Sequence, residues 1–190
     1  GGAVTVSTLA EAEYFFAAGF TDITYAVGIA PARLGRVAAL RANGCDLKII
    51  TDNVPAAEAV CEHAAGNGAT FDVLIEVDTG EERAGVPPDS DDLLAIGGIL
   101  DTAPGVELAG VLTHAGHSYA CEGPEGIREV AEQERAGVAA AAERLRAAGL
   151  PCPVVSTGST PTAVLAEDVS GVTEMRPGVY MFNDLKQLSI

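Results

Sequence analysis

What most constrains this chain is the regularity with which short apolar runs alternate with longer stretches of helical periodicity. Residues 2–7 (GAVTVS) read as a strand. Residues 8–18 read as a helix capped by Ser7 or Thr8, with Glu11 three positions after Thr8 as in a capping box. The beat repeats: strand at 23–28, helix at 31–42 stopped by Asn43-Gly44, and strand at 47–51. A helix at 56–65 follows, opening after Asn53 and ending at Gly66, then the strongly apolar strand 71–77 (FDVLIEV). A helix at 91–100, a strand at 106–112 and a long Ala/Glu/Arg-rich helix at 125–148 continue it. Strands at 154–156 and 172–175, with a short helix at 162–166 between them, complete the series.

Apolar strands joined by connections long enough for crossovers predict a parallel sheet covered by helices. Seven strands are countable, whereas a closed (β/α)8 TIM-type barrel needs eight. The expectation is therefore such a barrel with its first βα unit outside these residues. An open doubly wound sheet is the rival. The barrel is preferred because polar candidates follow almost every strand, as when several loops share one mouth.

The 190 residues suit a single domain, 1–190, with 48% hydrophobic content and no low-complexity tract. A net charge of −16 argues against nucleic acid or an anionic membrane as partner. No apolar run reaches the ~20 residues of a membrane span, and no leader is recognisable, which favours the cytoplasm. Cys45, Cys61, Cys121 and Cys152 lie far apart and form no zinc pattern, so free thiols are expected.

Four stretches carry candidate chemistry. In 155–162 (VSTGSTPT) a strand breaks into a cup for an anion: Gly158 allows close approach, Ser159 and Thr160 bring hydroxyls, and Pro161 suits the first helical turn. Residues 76–86 place Glu76, Asp78, Thr79 and Arg83 at a strand's carboxyl end; a loop ion pair between Asp78 and Arg83 is the plainer reading. THAGHSY at 113–119 holds His114 and His117, one of which suits general acid or base work. On a regular strand those two would face opposite ways, so a shared metal requires the loop to curl. MRPGVYMFND at 175–184 offers Arg176, amides at Gly178 and Val179, and the Tyr180 phenol. No Ser-His-Asp order and no Walker-type phosphate loop is present.

VDTGEERAGV, THAGHSY, STGSTPT and MRPGVY, in this order along an alternating chain, resemble the barrel domain of the pyridoxal-phosphate enzymes related to alanine racemase. They are most similar to the D-threonine aldolase and D-serine dehydratase branch. The resemblance implies a lyase acting on D-β-hydroxy amino acids, with pyridoxal 5'-phosphate as electron sink. It places Gly158, Ser159 and Thr160 on the cofactor phosphate, with Gly178, Val179 and Tyr180 beside it. It places Arg176 on the pyridine nitrogen and Arg83 near the phenolic oxygen or imine. Tyr119 and His117 line the ring or substrate side, and His117, Arg83 and Tyr119 become the catalytic candidates.

Such enzymes hold the cofactor on a lysine ending the first strand, and neither Lys48, inside a strand, nor Lys186, past the last one, matches. The lysine, and the ligands of a divalent zinc or manganese carried by a carboxyl-terminal β-domain, are expected outside these residues. The segment is then the central portion of a homodimeric enzyme, unable to turn over alone. Racemisation on the same scaffold, a non-catalytic phosphate-binding module, and an unrelated barrel enzyme using His114 or His117 on a phosphorylated substrate are the alternatives.

Overall fold

The computed structural model describes residues 2–179, which excludes Tyr180 and Lys186. The alternation is realised in full. Strands β1 (Val4–Val6), β2 (Asp22–Gly28), β3 (Asp46–Thr51), β4 (Phe71–Glu76), β5 (Val106–Leu112), β6 (Val154–Thr157) and β7 (Glu174–Met175) form one sheet in sequential order. Every neighbouring pair is parallel. Between them run α1 (Leu9–Ala17), α2 (Leu34–Ala42), α3 (Val54–Asn67), α4 (Asp91–Thr102), α5 (Gly123–Ala147) and α6 (Thr160–Leu165). This is the curled arrangement of the (β/α)8 barrel, with β1 and β7 as its two edges among the described residues.

Local chemistry sets the helix ends. The Thr8 hydroxyl accepts from the Glu11 N–H at 3.1 Å while the Glu11 carboxylate accepts from the Thr8 N–H at 2.8 Å, the expected capping box. Asn53 caps α3 through the Ala56 N–H at 2.9 Å. That helix runs past the predicted stop at Gly66 to a left-handed Gly68, φ 63°, because Gly66 takes ordinary helical angles. Residues 31–33 are 3-10 rather than α-helical, and a 3-10 turn at Gly116–Ala120 occupies a stretch read as loop.

Strand alternation splits the apolar residues between two faces. Ile23, Leu47, Ile49, Phe71, Val73 and Ile75 pack against helix residues such as Leu9, Val37, Val60 and Ile96 in the main core. The opposite face carries a smaller cluster, Ile50, Leu74, Ala109 and Leu112, with Ala26 and Val154 against it. Gly110, at φ 138°, lets β5 close on β6: a Cβ there would stand 2.0 Å from the Val154 carbonyl oxygen.

Candidate active site

A cavity of about 570 Å³ opens at the carboxyl ends of the strands, over the inner apolar cluster. It is bounded by Thr5 and Ser7 from β1 and its exit, Glu76 and Arg83 from β4 and its loop, and His114 and Tyr119 after β5. Ser159, Thr160, Arg176, Gly178 and Val179 close the remaining side. The volume falls in the range of small-molecule and cofactor sites.

The two late loops are tied to each other. The Thr160 hydroxyl oxygen accepts from the Gly178 N–H at 3.2 Å and from the Val179 N–H at 3.0 Å. Ser159 caps α6, its hydroxyl accepting from the Thr162 N–H at 3.2 Å. Gly158 is committed elsewhere. Its N–H donates to Glu134 at 2.9 Å, and its Cα faces the Arg176 guanidinium so closely that a Cβ would stand 2.8 Å from Cζ. The amide predicted to meet an anion is thus used to build the floor of the cup.

Arg176 is fixed rather than mobile. Its side chain is 8% exposed, its Nε donates to the Ser156 hydroxyl at 2.8 Å, and Nη2 donates to the Thr113 carbonyl. The Ser156 hydroxyl in turn donates to Glu174 at 2.5 Å. Burial pushes the Arg176 guanidinium down from its ordinary value.

Glu76, buried at the end of β4, has its carboxyl pushed up, first by desolvation and then by the Asp52 charge; Arg83 and Arg176 act the other way. The same burial, reinforced by Arg176, pushes the His114 imidazole down. Arg83 is 60% exposed and pairs with Glu81 at 3.3 Å, not with Asp78. Asp78 instead accepts from the Gly80 and Glu82 N–H groups, holding the turn.

Of the sequence-derived candidates, Arg83, Tyr119, Ser159, Thr160, Arg176, Gly178 and Val179 converge on the cavity. His117 does not line it: both ring nitrogens are buried and have no hydrogen-bond partner among the described residues. His117 lies within the 3-10 turn, and His114, two residues before the turn, lines the cavity in its place. Lys48 lies away from the mouth, held by Asp22 and Asp46 at 3.1 Å each at the amino ends of β2 and β3. Tyr180 lies outside the described residues. Glu134 belongs to none of the four sequence motifs; its one signal is a carboxylate within the apolar stripe Ile127, Val130, Ala131, Val138, Ala141 of α5.

The described residues hold no group of three or more His, Cys, Asp or Glu side chains placed for a metal ion. All four cysteines are free.

Comparison with known proteins is consistent over almost the whole chain. Residues 2–186 match the family described as alanine racemase, N-terminal domain. The D-threo-3-hydroxyaspartate dehydratase of Delftia sp. (strain HT23) is 56% identical over 188 residues, covering 98% of this chain and 49% of that protein. Its solved structure superposes with a TM-score of 0.94, over 98% of this chain and 49% of that one. The D-threonine aldolase of Arthrobacter sp. is 33% identical, covering 93% of this chain and 46% of that protein. An alanine racemase structure from Clostridium difficile, 16% identical with a TM-score of 0.77 over 94% of this chain and 46% of that one, shares the fold. The chain thus spans about half the length of these relatives.

Proposed function

Since the chain belongs to the alanine racemase N-terminal domain family, we propose that it forms the cofactor-holding half of a pyridoxal-phosphate lyase for D-β-hydroxy amino acids. Dehydration is the favoured reaction and aldol cleavage the second. The observation that carries this reading is the joining of the two late loops through Thr160, beside a buried guanidinium, in a cavity of cofactor size. The similarity to a D-threo-3-hydroxyaspartate dehydratase supports dehydration.

The residues present fit the cofactor. Thr160, its hydroxyl oxygen held by the Gly178 and Val179 N–H groups, would turn its proton to the phosphate end. Arg176 would set a fixed positive charge toward the ring, and Tyr119 and Arg83 would bound the substrate side. Pyridoxal phosphate, when bound, supplies an electron sink for a bond breaking at Cα.

His114, kept neutral by burial, is the imidazole able to take or return a proton within the cavity, the role first read for His114 or His117. Glu76, with its raised pKa, keeps a proton to higher pH than an exposed carboxyl and stores it beside the substrate side. In dehydration the substrate loses its Cα proton and the β-hydroxyl, and hydrolysis of the resulting enamine gives a keto acid and ammonia. In aldol cleavage the Cα–Cβ bond breaks to glycine and an aldehyde. The Schiff-base lysine and the ligands of a divalent zinc or manganese belong, in this reading, to parts of the enzyme beyond residues 2–179. The structure of a variant of a D-threo-3-hydroxyaspartate dehydratase in its metal-free form supports such a metal.

The test is the visible spectrum of the full gene product with pyridoxal phosphate, before and after D-threo-3-hydroxyaspartate, D-serine and D-threonine. A cofactor band that shifts with a D-amino acid, with keto acid and ammonia released, is the expected result. Glycine and an aldehyde would select the aldolase. A protein that takes up no pyridoxal phosphate refutes the reading.

A further inference from the structure

Beneath the cup lies a buried polar chain that the proposed chemistry does not use. Glu134, 2% exposed on α5, accepts from the Gly158 N–H at 2.9 Å and from the Thr162 hydroxyl at 2.7 Å. The Thr162 hydroxyl oxygen is 2.7 Å from that of Ser159, which is 3.0 Å from that of Ser118. Ser118, Ser159 and Thr162 are each at most 2% exposed.

A carboxylate only accepts, so the direction of every proton in the chain follows from Glu134. Thr162 gives its proton to Glu134 at 2.7 Å in preference to the Ser159 carbonyl oxygen at 3.3 Å, and its hydroxyl oxygen then accepts from the Ser159 hydroxyl. Ser159 donates to Thr162 while its lone pairs take the Thr162 N–H and the Ser118 proton. The hydroxyl of Ser159 is then fully used and has nothing left for a ligand. Thr160 is the opposite case. Both its lone pairs are filled by the Gly178 and Val179 N–H groups, and its own proton is uncommitted among the described residues.

We infer that Glu134 is a positioning residue that sets the proton direction Ser118 to Ser159 to Thr162, which leaves Thr160 as the hydroxyl donor of the anion cup. This rests on the proposed reading only in taking the anion to be the cofactor phosphate.

The test is a double-mutant cycle in the full-length protein, reading the ratio of affinities for pyridoxal phosphate and pyridoxal, which isolates the phosphate. Inorganic phosphate, followed by the amide shifts of Ser159, Thr160 and Gly178, serves as second probe. T160V is expected to lower the ratio about tenfold or more, the value of one hydrogen bond to a charged group. In the natural background S159A costs no more than about threefold. In E134Q, whose amide can donate to Thr162 and release the Ser159 proton, S159A is expected to cost about tenfold, by the same argument. S159G checks that the effect is not loss of the α6 cap, since glycine is tolerated there.

S159A costing as much as T160V in the natural background overturns the inference, as does an equal S159A cost in both backgrounds, the outcome of a merely structural Glu134. Phosphate binding with the expected Thr160 dependence, but no pyridoxal phosphate uptake, sustains the inference and refutes the cofactor reading. Binding of neither probe refutes both.

Discussion

Substituting Gly158 by alanine isolates the contact on which the floor of the cup depends. The added Cβ would lie 2.8 Å from Arg176 Cζ and 2.9 Å from each terminal nitrogen, against about 3.5–4.0 Å for comfortable packing. Gly158 does not have a positive φ, so alanine is allowed by the backbone and the cost is the clash alone. Two reliefs are available. Either the guanidinium shifts, weakening its bonds to Ser156 and the Thr113 carbonyl, or Gly158 withdraws from Glu134. Overpacking costs about 1–3 kcal/mol and one hydrogen bond of a charged group about 1.5–3. A loss of about 2–4 kcal/mol is expected, a fall of about 1–2 M in the urea midpoint at a slope of about 2 kcal/mol/M. The check is the same substitution in an R176M background, where the obstructing guanidinium is gone and the cost should drop below about 1 kcal/mol. An equal cost of Gly158→Ala in both backgrounds would refute the contact as its cause.

The raised Glu76 pKa means that the folded state holds this proton more tightly than the unfolded chain, so the group lowers stability as pH rises from about 4.5 through its folded pKa. E76Q should accordingly gain urea stability relative to the natural protein between pH 4.5 and 8; a constant difference would contradict the desolvated carboxyl. His114 has the reverse linkage: its pKa lies below 6.5 in the fold, so its contribution is present above that pH and is lost as pH falls through the folded value. Its NMR titration should have a midpoint below 6.5 that moves up, without fully recovering, in R176M, because burial outranks the Arg176 charge. A midpoint at or above 6.5 would remove the argument for a neutral imidazole.

The fold was legible because it rests on period and punctuation. Apolar strands such as 71–77 and 106–112, and caps such as Thr8 with Glu11, are written locally. The loops were legible only as composition. THAGHSY showed two histidines, but which of them faces the cavity depends on a five-residue 3-10 turn, whose hydrogen bonds leave no clear periodic mark. Gly158 read as an anion contact because glycine serves any close approach. That the approaching group is Arg176 depends on pairing between β6 and β7, a long-range event. Glu134 is the instructive case. A carboxylate inside an apolar helical stripe contradicts the pattern around it, and such a conflict marks a residue with partners elsewhere in the chain.

The charge balance explains why those partners matter. With a net charge of −16 the chain repels anions at long range, but screening confines that field to about 8 Å in physiological salt. Inside the cavity only near groups count, and two of them have opposite sign: Glu134 under Gly158, and Arg176 stacked against it. Placed without Arg176, the buried carboxylate would work against any phosphate above it. Arg176 borders the cavity and Glu134 does not, so of these two charges the guanidinium is the one a ligand there meets. Glu134 is then free to act through hydrogen-bond direction rather than through charge, ordering the hydroxyls while Arg176 and Thr160 face the ligand. In the proposed reading an anion is accepted by so acidic a chain because the guanidinium, and not the carboxylate, borders the cavity.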